Sequence, residues 1–69
     1  MFMVKVGQEP YIGLELGFWD SWDEAVNCVN RYISKTSDEI SWVNKGEGIW
    51  FSGSNWIHIY KIRINNDLF

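Results

Sequence analysis

The sequence offers few side chains for catalysis, and each of them has a structural explanation. Nucleophilic catalysis needs a nucleophile, a base and a group that orients the base. His58 is the single histidine among 69 residues, and its place between apolar residues of a predicted strand indicates a packed, structural histidine. Cys28 is the single cysteine, and its neighbours Ala25 and Val29 indicate a small buried residue of a helix.

Metal, disulfide and phosphate-loop chemistry are disfavoured by the same inventory. One cysteine and one histidine cannot build a Cys/His metal cage, and one cysteine cannot form an internal disulfide. Gly46-Glu47-Gly48 lacks the following Lys-Ser/Thr and the strand-to-helix setting of a phosphate loop. We therefore predict a protein that is not an enzyme, with no catalytic residue, no bound metal and no cofactor.

Asp20, Asp23 and Glu24 form the densest acidic cluster, and a helix start explains two of them. Ser21 followed by Glu24 is a capping box, in which the Ser21 hydroxyl accepts from the Glu24 amide and the Glu24 carboxylate returns to the Ser21 amide. Asp23 in the first turn suits the positive end of the helix dipole. The cluster predicts a helix start more directly than an acid–base pair.

The helix that follows is predicted from about Trp22 to Lys35. An apolar stripe at helical spacing runs along it, formed by Trp22, Ala25, Val26, Val29, Tyr32 and Ile33. Alternating apolar residues predict five strands, at 2–6, about 12–17, 39–44, 49–51 and 56–64, with a tail at 65–69. We expect one α+β domain over residues 1–69, with the order ββαβββ and a small antiparallel sheet that packs one helix on one face.

The large apolar side chains outnumber what one helix can cover. Two registers are possible, according to which alternating set of strand side chains faces the helix. In the first, the side chains left on the uncovered face are Val43, Trp50, Ile57 and Ile59. In the second, they are Trp42, Phe51, Trp56 and Tyr60. Phe18 and Trp19, just before the helix, also lack an obvious place. Contiguous exposed apolar surface on a small protein is typical of an interface, and aromatic residues are enriched at interface centres.

The charge distribution adds an acidic end to this picture. The formal net charge is −3, and residues 1–24 carry one lysine against five acids. Such an end can face a basic partner or mimic nucleic acid in a partner's phosphate-binding groove. The candidate partner-binding residues are Glu15, Phe18, Trp19, Asp20, Asp23, Trp50 and Trp56.

In size and composition, a short acidic chain with no catalytic set resembles the small inhibitors encoded by bacteriophages and other mobile elements. The resemblance covers no particular residues. It implies a protein-binding domain that inhibits a host or defence protein. Two alternatives remain open: a single-stranded nucleic-acid binder that stacks bases on the sheet aromatics, which the net charge disfavours, and a self-associating structural subunit or homodimer.

Three features of the sequence bear on the cellular compartment of the protein. A single cysteine fits a reducing environment, and the apolar start stops at Gly7, short of a signal-peptide core. No stretch approaches the ~18 apolar residues of a membrane span. We expect a cytoplasmic protein without a membrane partner.

Overall fold

A computed structural model describes residues 1–9 and 13–62. Within these residues the chain forms five strands and one helix, and the strands pair antiparallel in a single sheet. The elements are β1 (Phe2–Gln8), β2 (Leu14–Trp19), α1 (Trp22–Thr36), β3 (Val43–Gly46), β4 (Ile49–Ser52) and β5 (Asn55–Lys61). The α+β class and the ββαβββ order predicted from the sequence are confirmed.

The order of strands across the sheet is β2-β1-β5-β4-β3. The first and last strands therefore pair at its centre, over seven residue pairs from Phe2–Lys61 to Gln8–Asn55. The helix joins edge strand β2 to the opposite edge strand β3, so it must cross the sheet. Because the helix makes this crossing over one face, the other face receives no cover from it.

The helix begins where the sequence predicts. Ser21 is the N-cap, and the Glu24 amide donates to its hydroxyl oxygen at 3.2 Å. The second half of the capping box differs from the prediction, because the Ser21 hydroxyl donates to Glu24 Oε1 at 3.1 Å. A single hydroxyl thus both accepts and donates, and it satisfies one of the free amides of the first turn.

The third strand starts at Val43, four residues later than the predicted start at Glu39. The amides of Glu39 and Ile40 both donate to the Thr36 carbonyl, at 3.0 and 2.8 Å. The Trp42 indole Nε1 donates to the Thr36 hydroxyl at 2.9 Å. These bonds fold the segment back onto the end of the helix, which overrides its alternating apolar pattern.

Other strand limits also move from their predicted positions. β1 runs two residues beyond position 6, because Gly7 and Gln8 still pair with β5. β2 runs on to Trp19 instead of ending near Gly17. The predicted positions Ile12, Arg63 and Ile64, and the predicted tail at 65–69, lie outside the described residues.

Small aliphatic side chains form the core between the helix and the sheet. Among the described residues, six hydrophobic ones are buried: Val4, Val6, Ala25, Cys28, Val29 and Ile57. Larger side chains pack around them while keeping part of their surface exposed, namely Phe2, Leu16, Trp19, Tyr32, Ile33, Trp42, Trp50 and Ile59. Most of the rings in this layer therefore form the rim of the core, and its centre is aliphatic.

The β3–β4 hairpin turns through a glycine that cannot be replaced freely. Gly48 has a φ of +71°, a conformation that side-chain-bearing residues rarely adopt. A Cβ added there would lie 2.8 Å from Trp22 Cη2. The Gly48 carbonyl also accepts from the Ile59 amide at 2.9 Å. The turn is thereby held against both the helix and the neighbouring strand β5.

Candidate functional site

Strand β5 separates two kinds of side chain. Ile57 is fully buried and Ile59 packs against the core, so these positions face the helix. Successive side chains of a strand point to opposite faces of a sheet. Trp56, His58 and Tyr60 therefore point away from the helix, as in the second of the two registers left open by the sequence. That register is wrong for the third strand, where Trp42 packs against the core and Val43 lies on the face opposite the helix.

The sheet face opposite the helix, called the open face below, is rich in large apolar side chains. Directly paired residues of neighbouring strands share a face, so the strand register identifies its members. They are Met3, Phe18, Val43, Ile49, Phe51, Trp56, His58 and Tyr60. Val43 is 52% exposed and Phe18 is 49% exposed. Among the described residues, the only helix packs on the other face.

Three rings form a row along β5 on the open face. The Trp56 and His58 ring centroids are 6.3 Å apart, and their planes meet at 86°. The His58 and Tyr60 centroids are 4.9 Å apart, with an interplanar angle of 52°. Tilted and edge-to-face arrangements at such distances are favourable for aromatic pairs. The row is therefore partly ordered by its own contacts.

Two glycines make room for the first ring of this row. A Cβ added at Gly7, the β1 partner of Trp56, would lie 2.7 Å from the indole Cε2. A Cβ added at Gly13 would lie 2.8 Å from Cζ2 of the same ring. The indole thus lies across the backbone of two glycines. This packing explains why Trp56 is half-buried although the helix does not cover it.

A cavity of about 180 Å³ opens beside the row. Glu9, Phe51, Trp56, His58 and Tyr60 line it. The Glu9 backbone amide donates to the Ser54 carbonyl at 2.8 Å, which fixes the end of β1 next to the β4–β5 turn. Glu9 itself is exposed. The cavity therefore combines aromatic walls with one carboxylate.

His58 occupies a structural position and carries one polar atom without a partner. Its Nδ1 is buried and has no hydrogen-bond partner within the part of the chain that the structure describes. A general base needs an orienting group and a path to substrate, and the ring here lies between Trp56 and Tyr60. The packed role predicted for this histidine fits that placement.

The charged residues of the two central strands divide between the faces. On the open face Lys5 pairs with His58 of β5 and with Glu15 of β2. Lys61 instead pairs with Phe2 and belongs to the helix face. Across β2, β1 and β5, the open face thus has one lysine opposite one glutamate in a strand pair, with Glu9 as a further acid at its end.

The structure distributes the predicted partner-binding residues over three places. Glu15, Phe18 and Trp56 lie on the open face. Trp19 and Trp50 pack against the core beneath the helix, so they supply packing and are not part of the open face. Asp20 and Asp23 are exposed at the start of α1.

Several open-face residues were absent from the predicted set. They are Met3, Glu9, Val43, Ile49, Phe51, His58 and Tyr60. Their alternation along each strand was visible in the sequence, but the alternation does not say which set faces the helix. Gly7 is the best available signal, because a glycine within a strand often marks a close approach by another group, here the Trp56 ring.

Cys28 is buried, as predicted, and is poorly suited to nucleophilic chemistry. Burial raises the pKa of its thiol, and the nearby positive charge of Arg31 offsets part of that increase. A raised pKa lowers the fraction of reactive thiolate at neutral pH. The cysteine therefore acts as a small core residue of the helix.

Residues 1–9 and 13–62 contain neither a cluster of metal ligands nor a membrane-spanning helix. No group of three or more His, Cys, Asp or Glu residues in these ranges is placed to hold a metal ion. No helix in the same ranges has the length and apolar character needed to cross a membrane.

The chain was also compared with known proteins. It matches no protein-family model, no curated protein and no solved structure.

Proposed function

We propose that this chain is a non-enzymatic protein-binding domain whose contact surface is the open face of its sheet. One observation carries the proposal: eight large apolar or aromatic side chains share a face that no described helix or strand covers. Contiguous apolar surface of this kind is the usual mark of an interaction site on a small protein. The rings offer large contact area with few rotatable bonds.

The open face also has the composition of an interface centre. Binding energy concentrates in a few buried aromatic anchors, surrounded by contacts that exclude water. Phe18 and Tyr60 combine large rings with high exposure, at 49% and 39%. Both stand next to Met3 in the sheet, one on each side. These three residues form a continuous apolar strip across β2, β1 and β5.

The charge of the chain favours a basic partner. The net charge is −3, and the acids Glu9 and Glu15 lie at and on the open face. Complementary potentials speed association and suppress wrong partners. Together with the small size and the lack of a catalytic set, this supports an inhibitor of the kind encoded by bacteriophages and mobile elements, acting in the cytoplasm on a host or defence protein.

Nucleic acid is the second candidate, and the row of Trp56, His58 and Tyr60 is the observation that favours it. Rings in series on a sheet can stack unpaired bases. Such binders need a positive groove for the phosphates. Among the described cations of β1 and β5, Lys61 lies on the helix face, and Lys5, the cross-strand neighbour of His58, also has Glu15 opposite it. One lysine with an acid opposite it does not form a positive groove along this row. The protein partner is the better supported proposal.

Site-specific photo-crosslinking tests the proposed surface. Benzoylphenylalanine replaces Phe18 or Tyr60, which preserves an aromatic ring at each position. As the matched control it replaces Asn27, which is exposed on the outer side of the helix. The variants are irradiated in cells of the organism that encodes the chain, and the products are identified by mass spectrometry.

The proposal predicts one protein captured from positions 18 and 60, not captured from position 27, and displaced by an excess of the unmodified chain. Equal capture from all three positions, or none from positions 18 and 60, would contradict it. Capture of a second copy of the chain would replace it with self-association. Capture of an oligonucleotide would replace it with the nucleic-acid candidate.

A further inference from the structure

The cavity on the open face has the walls of a cation-binding cage. Phe51, Trp56 and Tyr60 contribute three π-systems around about 180 Å³, and His58 forms the floor between two of them. A cation near an aromatic face is attracted by the negative face of the ring. Aromatic cages of this composition recognise ammonium groups.

The Trp56 wall is preorganised. Its indole lies over Gly7 and Gly13, where any side chain would collide with it. The next ring, His58, meets it edge-on at 86°. A ring that is already held in place loses little conformational entropy when a ligand arrives, and preorganisation of this kind raises affinity.

The fourth wall supplies a negative charge. Glu9 follows Lys5 and Gly7 at alternating positions, so it continues the open-face side of β1 past the end of the strand. Glu9 is the acid among the residues that line the cavity, whereas Glu15 and its cross-strand partner Lys5 do not line it. A carboxylate beside a ring cage adds a charge-assisted contact for a bound cation.

We propose that this cavity receives the cationic head of a lysine or arginine side chain presented by the protein partner. The inference rests on the proposed function and adds to it the chemistry of one contact. Glu9 compensates the charge, and the rings of Trp56, Tyr60 and Phe51 take the place of water around the alkyl stem and the head group. The partner is therefore a protein with a protruding basic residue.

The test uses isolated side chains as probes, so it does not need the partner. The protein is titrated with the N-acetyl methylamides of lysine and arginine, and the ring signals of Trp56 and Tyr60 are followed by NMR. The neutral control is the same lysine compound acetylated at Nε. We expect saturable shifts with at least one cationic probe in the millimolar range, and at least fivefold weaker binding of the neutral probe.

Glu9→Gln should weaken binding of the cationic probe about three- to tenfold and leave the neutral probe unchanged. Glu39→Gln is the matched control, because Glu39 is an exposed acid in the loop after the helix; it should bind as the unmodified chain does. Trp56→Phe keeps a ring but reduces its area, and a loss of about two- to fivefold is expected.

The inference is overturned if no cationic probe produces a saturable shift, if the neutral probe binds as tightly, or if Glu9→Gln and Glu39→Gln behave alike. These results would leave the crosslinks from positions 18 and 60 intact, so the open face would remain a protein-binding surface with other contacts. Conversely, probe binding without those crosslinks would keep the cation site and remove the proposed protein partner.

Discussion

The two faces of the sheet use apolar residues in opposite ways. On the helix face, Val4, Val6 and Ile57 are buried to 7% exposure or less. On the open face, Phe18 and Val43 keep about half of their surface in contact with water. Among these residues, full burial of an apolar side chain therefore depends on whether the helix covers its position, and position on the sheet matters more than residue type.

The open face is not uniformly exposed, and the difference lies in how the rings meet their neighbours. Trp56 is half-buried because its indole covers Gly7 and Gly13. Phe18 lies on edge strand β2, so only one neighbouring strand borders it. The centre of the open face is thus partly structural, whereas its β2 side is available for contact at little cost in stability.

Replacing one valine on each face with alanine should show the largest difference in stability between the two faces. Val4→Ala empties a fully buried site and should cost roughly 2–3 kcal/mol, from lost burial and the remaining cavity. Val43→Ala makes the same chemical change at a half-exposed site and should cost under about 1 kcal/mol. Urea unfolding followed by Trp fluorescence measures both.

The size of that loss matters because the domain is small. A chain of this length has a total stability of roughly 3–10 kcal/mol, so the Val4 variant should unfold at much lower urea concentration. Equal losses at the two positions would mean that the open face is also covered, and the contrast between the faces would fail.

Substitutions at two glycines test how Trp56 packs on the strand, and the expected loss of stability is the second largest. Gly7→Ala places a methyl group against the indole and should cost about 1–3 kcal/mol through overpacking. Gly46→Ala is the control, because an added Cβ there meets no atom within 4 Å; it should be neutral or slightly stabilising. Thermal unfolding compares the two variants, and a neutral Gly7→Ala would mean that the ring does not lie there.

The smallest effect is expected at the middle of the aromatic row. His58→Phe keeps a ring between Trp56 and Tyr60 and removes the buried Nδ1 that has no partner among the described residues. Removing an unsatisfied buried polar atom should be neutral or stabilising by up to about 1 kcal/mol. A loss above about 2 kcal/mol would show that the imidazole makes a hydrogen bond that the fold needs.

Most of the fold could be predicted from local features of the sequence. The Ser21 cap, the first-turn acids and the apolar stripe placed α1 within one residue of its observed limits. The two glycines within Lys45–Gly48 also favour a tight hairpin between the third and fourth strands, and Gly48 takes the positive φ of such a turn. These features depend on residues close together in the chain, which is why the sequence predicts them well.

The start of the third strand depends on side-chain contacts that an alternating pattern does not show, and the contents of each face depend on contacts between strands that are distant in the chain. Trp42 alternates with Ile40 as a strand would, but its indole bonds to the Thr36 hydroxyl and packs on the Tyr32 ring, 6.1 Å between centroids. Trp50 faces the helix because its strand partner is Ile57, a fact of register that a single sequence does not contain. For the same reason the candidate surface was predicted with two core-packed tryptophans in it.

The proposed function requires an open face that is accessible to solvent in a single chain, and paramagnetic relaxation by a soluble gadolinium or nitroxide probe measures this accessibility directly. At low protein concentration, the ring protons of Phe18 and Tyr60 and the methyl groups of Val43 should relax strongly, while the methyl groups of Val4 and Val29 should not. If the first group is as protected as the second at every dilution, the open face is covered and the account is contradicted.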